Sequence, residues 1–428
     1  MPRRWGKTLN LDMLRRFLEM PVDKSGIVLN KSETDNHKLF ASGQVDGGMR
    51  GKVTLPPLHV ASARLFDNVH ALDLQGTFPV VYIDVKNCKG SNYEDVQELL
   101  RAELSSAFRR HCYLKDSSKF TQRQRDLVDQ YIEESTEPVI SRGLQVLSDA
   151  LHTHHNKEVW ILVDEYDAVA NMAYREFSEK DCKQTISLFK GLYEKALKNN
   201  PHLAKGVLTG VQYIAKSGML SGLNNLGKID FTHAKYAQHY GLDQDEIDLF
   251  FSHFNVPADL AAKAKQWYDG YKVPKFDQSK STTQELEILE KYNVWSIVSY
   301  LKEGEFYKFK SYWEQSGSID FLEVLFKQES VREVVEKLVN GESIHLERKA
   351  DFSVENFRTL KEVLSGNKTI TQHGLDVLFS YLFIGGYLTI DENGANHYRI
   401  PNKEITYEMQ QRLISYYKTI YTIDPGSM

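Results

Sequence analysis

The sequence Val-Trp-Ile-Leu-Val-Asp-Glu-Tyr-Asp at residues 159–167 constrains the fold of this chain more than any other stretch. Its five consecutive apolar residues, most of them β-branched or aromatic, are typical of a strand buried inside a parallel sheet. Asp164 and Glu165 follow at the carboxyl end of that strand, where open α/β sheets bind their ligands. Two carboxylates at this position favour a bound cation, although a solvated acidic turn explains the stretch by itself equally well.

A second motif, Gly6-Lys7-Thr8, has the form of a phosphate-binding loop. Gly6 lets the backbone approach a phosphate, Lys7 is expected to reach the β- and γ-phosphate oxygens, and the Thr8 hydroxyl is expected to ligate Mg²⁺. A helix is predicted to begin directly after the loop, so its N-terminus would face the anion. Its apolar side consists of Leu9, Leu11, Met13, Leu14, Phe17 and Leu18. The motif alone is a weak signal, but the acidic strand end strengthens it.

The two motifs together assign roles to their polar side chains. In phosphate-hydrolysing proteins with such a loop, the first strand-end acid holds Mg²⁺, usually through water, and a neighbouring acid can orient the attacking water. We therefore expect Asp164 and Thr8 to hold Mg²⁺ and Glu165 to be the catalytic residue that activates water. Asp84 ends another predicted buried strand, residues 78–85. It either faces the same site or caps a turn, and the turn is favoured.

These motifs resemble those of the predicted AAA-ATPase (AAA-ATPase-like) family. The resemblance rests first on residues 2–10, Pro-Arg-Arg-Trp-Gly-Lys-Thr-Leu-Asn, and on residues 162–167. Further matches occur in the family's order at residues 208–211, 214–216, 221–226, 267–271, 292–297, 386–389 and 401–404. The resemblance extends from about residue 1 to about residue 410.

The resemblance implies binding of ATP with Mg²⁺, and hydrolysis as a further expectation. Arg4 and Trp5 belong to the matched loop and are expected to contribute to nucleotide binding with Gly6, Lys7 and Thr8. In related ATPases a polar residue on the strand beside the acidic strand senses the γ-phosphate. Thr209 is the candidate here, and a β-branched strand end without that role is the alternative. Lys216 matches a lysine of the family and is also expected to bind the nucleotide.

One departure from the family favours a different function. Tyr213 stands where members of the family typically carry arginine. A neutral phenol does not neutralise phosphoryl charge as a guanidinium does. The alternative is therefore a catalytically impaired nucleotide-binding switch or an interaction scaffold.

The predicted fold class is α/β, with a P-loop-type parallel sheet and a C-terminal helical and winged-helix-like lid. The predicted domains are residues 1–230 for the ATPase-like part, 231–370 for the helical lid and 371–428 for the winged-helix-like unit with its terminal helix. A β-hairpin is predicted around Asn393-Gly394. The aromatic residues after residue 231 are interpreted as core, since no basic residues alternate with them as in a surface that stacks bases.

The two ends of the sequence carry separate expectations. A phosphate loop normally follows a buried strand, but only Met1 precedes Pro2. We expect this first strand to be missing, through a start assigned too late, a truncation or a decaying gene. Many members of the family continue into a PD-(D/E)XK nuclease domain, for which there is no room after residue 417, so nuclease activity is not expected.

Composition limits the partners and the compartment. The net charge of −5 gives no overall attraction to nucleic acid or to an anionic membrane. Three widely spaced cysteines, and no apolar run long enough to span a bilayer, predict a cytoplasmic protein. Secretion without a signal peptide stays open. The histidines before the acidic strand, His152, His154 and His155, lack a further metal ligand nearby and are predicted to lie in a solvated loop.

Overall fold

The chain forms two compact units in the computed structural model. The structure describes residues 2–46, 51–65, 69–212, 218–275, 287–303, 308–313, 321–349, 351–366, 369–392 and 396–421. The sheet unit consists of Lys7–Gly210 and Ile214–Leu226, and the helical unit consists of Met1–Gly6, Val211–Tyr213 and Gly227–Met428. The finer division of residues 231–428 into two domains stays a prediction.

Parallel strands form the centre of the sheet unit. Its strands are β1 (Gly43–Asp46), β2 (Lys52–Leu55), β3 (Val80–Asp84), β4 (Val159–Asp164) and β5 (Leu203–Leu208). β1 and β2 form an antiparallel pair, and the other strands form a parallel sheet in the order β3-β4-β5. The α/β class and the parallel sheet are therefore confirmed. The register places Asp84 directly beside Asp164.

Helices pack around this sheet. They are α1 (Lys7–Leu18), α2 (Asp35–Ala41), α3 (Ala71–Leu74), α4 (Tyr93–Arg109), α5 (Gln122–Ile132), α6 (Gly143–His155), α7 (Ala168–Glu176) and α8 (Glu179–Leu197). α4 and α8 begin at polar caps: the Asn92 side chain accepts a hydrogen bond from the Asp95 N–H, and the Ser178 side chain accepts one from the Asp181 N–H. These caps satisfy N–H groups that have no partner within the helix.

The apolar side of α1 covers one face of the parallel sheet. Leu11 and Leu18 pack against Val80 of β3 and Leu162 of β4, and all four side chains are buried. Because side chains alternate along a strand, Asp164 projects to the same face as Leu162, which is the face that α1 covers. The predicted buried strand, β4, and the predicted helix, α1, thus pack against each other. Lys7 is the first residue of α1.

The predicted loop for His152, His154 and His155 is wrong. These residues form the last turn of α6, which ends at Asn156 in the left-handed conformation. The buried Leu144, Leu147 and Leu151 recur at helical spacing and hold the helix against the sheet unit, so its last turn includes the histidines. Packing of a helix decides its length more than the polarity of its last residues.

The helical unit contains short strands as well as helices. Its strands are β6 (Tyr271–Lys275), β7 (Glu287–Lys291), β8 (Ile344–His345), β9 (Thr389–Ile390) and β10 (His397–Arg399). Its helices are α9 (Ala234–Ala237), α10 (Gln244–His253), α11 (Ala258–Tyr268), α12 (Val294–Lys302), α13 (Phe321–Leu325), α14 (Glu329–Val339), α15 (Val354–Leu364), α16 (Gln372–Gly385) and α17 (Lys403–Tyr421). β9 and β10 pair antiparallel, as predicted for a hairpin, while its Asn393-Gly394 turn lies outside the described residues.

Aromatic side chains form much of the core of the helical unit. Tyr268, Tyr292 and Tyr300 are buried together with Ile247 and Ile297. The interpretation of these rings as core is therefore confirmed for these residues. Within the part of the chain that the structure describes, no helix combines the length and the apolar character needed to cross a bilayer.

A buried histidine network in the sheet unit makes the stability of the protein pH-dependent. His111 Nε2 lies 3.2 Å from the Val80 carbonyl oxygen and Nδ1 lies 3.2 Å from the Tyr113 hydroxyl, which lies 2.9 Å from His155 Nε2. Burial lowers the pKa of His111 to about 3 and that of His155 to about 4. In the unfolded chain these groups titrate near pH 6.5. At pH values between the folded and the unfolded pKa, the unfolded chain binds protons that the folded protein does not. The free energy of unfolding therefore decreases as the pH is lowered through this range.

We predict that lowering the pH from 7 to 5 reduces the free energy of unfolding by about 2 kcal/mol through the titration of His111 alone. Urea denaturation of the wild type and of His111→Gln at both pH values measures this contribution as a difference. An NMR titration of the His111 imidazole in the wild type is an independent check. Equal pH dependence in both proteins, or an imidazole that titrates near pH 6.5, would contradict the prediction.

Candidate functional site

The buried carboxylate of Asp164 lies at the carboxyl end of β4. Its Oδ1 accepts hydrogen bonds from the Thr209 hydroxyl and, at 3.0 Å, from the Glu165 N–H. Its Oδ2 is buried and has no hydrogen-bond partner among the described residues. Because a buried polar atom without a partner is costly, this oxygen is suited to a ligand, and a carboxylate oxygen suits a cation.

Glu165 joins the strand end to the phosphate-loop lysine. Lys7 Nζ lies 3.7 Å from Glu165 Oε1, and Lys7 is 6% exposed. Burial raises the pKa of Glu165, the Lys7 charge lowers it, and the charges of Asp167 and Asp164 raise it. Glu165 also adopts a φ of +50°, a left-handed conformation that costs a non-glycine residue about 1 kcal/mol or more. The sheet unit thus brings Lys7, Asp164, Glu165 and Thr209 together.

The N-terminus of α1 supplies the anion-binding side of this site. Lys7 is the first helical residue and Thr8, whose side chain is exposed, is the second. The first N–H groups of a helix have no partner within it, and the helix dipole favours an anion there. The first turn of α1 contains no acidic residue that would occupy those groups.

The end of β5 is fixed to the acidic turn. The Thr209 N–H donates to the Val163 carbonyl at 2.9 Å, and the Tyr166 N–H donates to the Thr209 carbonyl at 3.0 Å. At Gly210 a Cβ atom would lie 2.2 Å from Asp167 Oδ1 and 2.7 Å from the Tyr166 ring. The sequence analysis did not predict this contact. The sequence feature that indicates it is a glycine directly after Thr209 at the end of a strand.

Asp84 adds a further acid to the same sheet edge. Its Oδ1 accepts a hydrogen bond of 2.9 Å from the Lys86 N–H, so it caps a turn as favoured from the sequence. It is also the register partner of Asp164, and adjacent partners on parallel strands project to the same face. Burial raises the pKa of Asp84, the Lys86 N–H lowers it, and the charge of Asp164 raises it. Turn capping and a place beside the site are therefore compatible.

The loop residues before Lys7 belong to the helical unit. Trp5 is fully buried there, with its ring 5.0 Å from the Tyr271 ring in an edge-to-face arrangement. The Arg4 guanidinium donates to the Tyr312 carbonyl and lies 5.1 Å from the centre of the Trp295 ring. The Arg4 and Trp5 side chains contact other residues of the helical unit. Gly6, at φ +76°, has no Cβ atom to cover its backbone.

The nucleotide contacts predicted for these loop residues stay predictions. Lys216 and Tyr213 lie outside the described residues.

A magnesium ion would fit the donor set of this site. Among the described residues no group of three or more histidine, cysteine, aspartate or glutamate side chains could hold a metal ion by itself. Mg²⁺ is commonly bound through one or two carboxylates together with water and substrate phosphates, so a protein cage is not required. The free Oδ2 of Asp164 is the atom that meets this need.

A parallel sheet with an acidic strand end beside a lysine at a helix N-terminus is compatible with a P-loop-like fold. The family model described as "Predicted AAA-ATPase" matches residues 62–220, so the family suggested by the motifs is confirmed over that segment. Asp164, Glu165 and Thr209 lie within the match, and Lys7 lies outside it.

A curated protein is similar to part of this chain. The relative is the "Uncharacterized protein in vnfD 5'region" of Azotobacter chroococcum mcd 1, which is 23% identical over 269 residues. That alignment covers 62% of this chain and 45% of the relative, so the chain spans less than half of the relative's length. No solved structure is significantly similar.

We predict that Gly210→Ala destabilises the protein by about 1–3 kcal/mol, because the added methyl group would overlap Asp167 and Tyr166. Gly227→Ala is the matched control, since a Cβ at Gly227 meets no atom within 4 Å. Thermal or urea unfolding measures both. Equal stability of the two variants would contradict the prediction.

Proposed function

We propose that this protein binds Mg²⁺-ATP at the carboxyl end of the parallel sheet and hydrolyses it. The observation that carries the proposal is the buried, unpartnered Oδ2 of Asp164, next to a Glu165 carboxylate that pairs with Lys7. A cation ligand, an acid able to activate water and a phosphate-binding amine therefore occur together at a helix N-terminus. The family match supports the same class of ligand.

Each residue has a proposed role in this reaction. Lys7 and the first N–H groups of α1 bind the β- and γ-phosphates, and Thr8 and Asp164 hold Mg²⁺, which would neutralise phosphate charge. Glu165 accepts a proton from the water that attacks the γ-phosphorus, while the bond from that phosphorus to the β–γ bridging oxygen breaks and ADP leaves. Thr209, whose hydroxyl donates to Asp164 in this structure, is the proposed sensor of the γ-phosphate.

A non-catalytic nucleotide switch or interaction scaffold is the second candidate. Tyr213, at a position where the family typically has arginine, favours it, because a transferring phosphoryl group would lack that positive charge. The switch would keep Lys7, Thr8 and Asp164 as a binding site.

The lid of this protein is proposed to contain a winged helix within residues 329–399, a range that begins before the boundary predicted at residue 371. Support comes from the order α14, β8, α15, α16, β9, β10 and from the sheet order β8-β10-β9. The third helix, α16, buries Val377, Leu378 and Phe383. A helix packed in this way supports a structural role more than insertion into a nucleic-acid groove.

The cytoplasm remains the proposed compartment. Cys88, Cys112 and Cys182 are all free thiols, which supports a reducing environment.

We predict that Lys7→Ala lowers ATP affinity at least tenfold, because the buried amine is the phosphate-binding group of the site. Asp164→Asn should remove the Mg²⁺ dependence of binding while metal-free ADP still binds. Isothermal titration with and without Mg²⁺ measures both effects. The control is Lys183→Ala, whose side chain is exposed on α8 and pairs with Glu179. Equal ATP affinity of Lys7→Ala and the wild type would reject the assignment.

Turnover of Mg²⁺-ATP separates the two candidate functions. If the protein is an ATPase, Glu165→Gln should lower kcat by about 100-fold or more, since general-base catalysis contributes at least that much. Phosphate release under saturating ATP measures kcat. ATP binding without turnover in the wild type, unchanged in Glu165→Gln, would support the switch instead.

A further inference from the structure

The Lys7–Glu165 ion pair joins two groups that the proposed reaction needs apart. Lys7 Nζ and Glu165 Oε1 lie 3.7 Å from each other, with the two side chains 5% and 22% exposed. A phosphate that approaches Lys7 from the side of Glu165 would meet the negative charge of this carboxylate, and the two anions would compete for the amine. The carboxylate, for its part, can act on water only when it is turned away from the lysine.

Hydrogen bonds fix the backbone that carries the Glu165 side chain. The Glu165 N–H donates to Asp164 Oδ1, and the next N–H, that of Tyr166, donates to the Thr209 carbonyl. Between these two bonds Glu165 keeps a φ of +50°. A strained conformation of this kind persists only when the surrounding contacts determine it. The turn from which the Glu165 side chain extends toward Lys7 is therefore fixed.

We infer that Glu165 is a built-in competitor for the phosphate site, which occupies Lys7 until a di- or triphosphate displaces it and which becomes available to activate water only then. This inference rests on the proposed function. The displacing ligand must offer more than the single carboxylate that it replaces. A di- or triphosphate does so because its several oxygens can bind Lys7 and the N–H groups of α1 at once.

Metal-free ADP binding by the full-length protein tests the inference without hydrolysis. Two variants break the ion pair: Glu165→Gln removes the charge, and Glu165→Asp keeps the charge but shortens the side chain by one methylene group. Asp84→Asn is the control, since it removes a negative charge at the same sheet edge from a carboxylate that accepts a hydrogen bond from the Lys86 N–H. In EDTA we expect ADP to bind at least tenfold more tightly to Glu165→Gln and at least threefold more tightly to Glu165→Asp. We expect less than a threefold gain for Asp84→Asn.

Each outcome decides for or against the inference. Unchanged or weaker ADP binding in both Glu165 variants overturns it while the proposed function stands. An equal gain in Glu165→Gln and Asp84→Asn, with none in Glu165→Asp, also overturns it, because general charge repulsion then explains the result. ADP binding by a Glu165 variant but not by the wild type supports it. If neither the wild type nor any variant binds ADP at millimolar concentration, the proposed function fails as well.

Competition by small anions gives a second measurement that does not depend on a single variant. Inorganic pyrophosphate should displace a fluorescent ADP analogue from the wild type at concentrations at least tenfold lower than inorganic phosphate. In Glu165→Gln both anions should bind more tightly by the same factor, because removing the carboxylate raises the fraction of the protein in which Lys7 is available to either of them. Titration of pyrophosphate into both proteins measures this factor, and an unchanged pyrophosphate affinity in Glu165→Gln would overturn the inference.

Discussion

The hydrogen bonds of the buried Asp164 carboxylate are the interaction on which the site depends. Asp164 ends β4, the strand that pairs with both β3 and β5. One of its oxygens holds the Thr209 hydroxyl at the end of β5 and the N–H of Glu165 in the following turn. Since a buried carboxylate needs such partners, these bonds fix the two strand ends and the acidic turn relative to one another. The second oxygen is buried without a hydrogen-bond partner among the described residues.

An excess of negative charge distinguishes this sheet edge. Asp84 and Asp164 are neighbours in register, Glu165 follows, and Asp167 is buried nearby, while Lys7 supplies a cation to the group. Burial and the charge of Asp164 raise the pKa values of Asp84 and Glu165, and the charge of Asp167 also raises that of Glu165. Such an arrangement is unfavourable for stability alone and is typical of functional sites, where a bound cation offsets the repulsion.

Local sequence patterns predicted a large part of the fold. The apolar run before Asp164, the helix after Lys7 and the strand pairing around residue 393 all occur as expected, because each depends on periodicity or on nearby residues. The prediction of a loop for the histidines at the end of α6 was wrong. Their polarity indicated a loop, but burial of leucines further back in the helix extends it through them.

The sequence by itself determined which chemical groups are present and in what order. Gly-Lys-Thr and Asp-Glu identified an amine, a hydroxyl and two acids, because such motifs are short and their chemistry is carried by side-chain type. The tertiary structure alone decided the pairing of Lys7 with Glu165, the free oxygen of Asp164 and the packing of Gly210 against Asp167. These contacts join residues that lie tens to more than a hundred positions apart. Strand register and helix packing set their distances, and neither is encoded in a short motif.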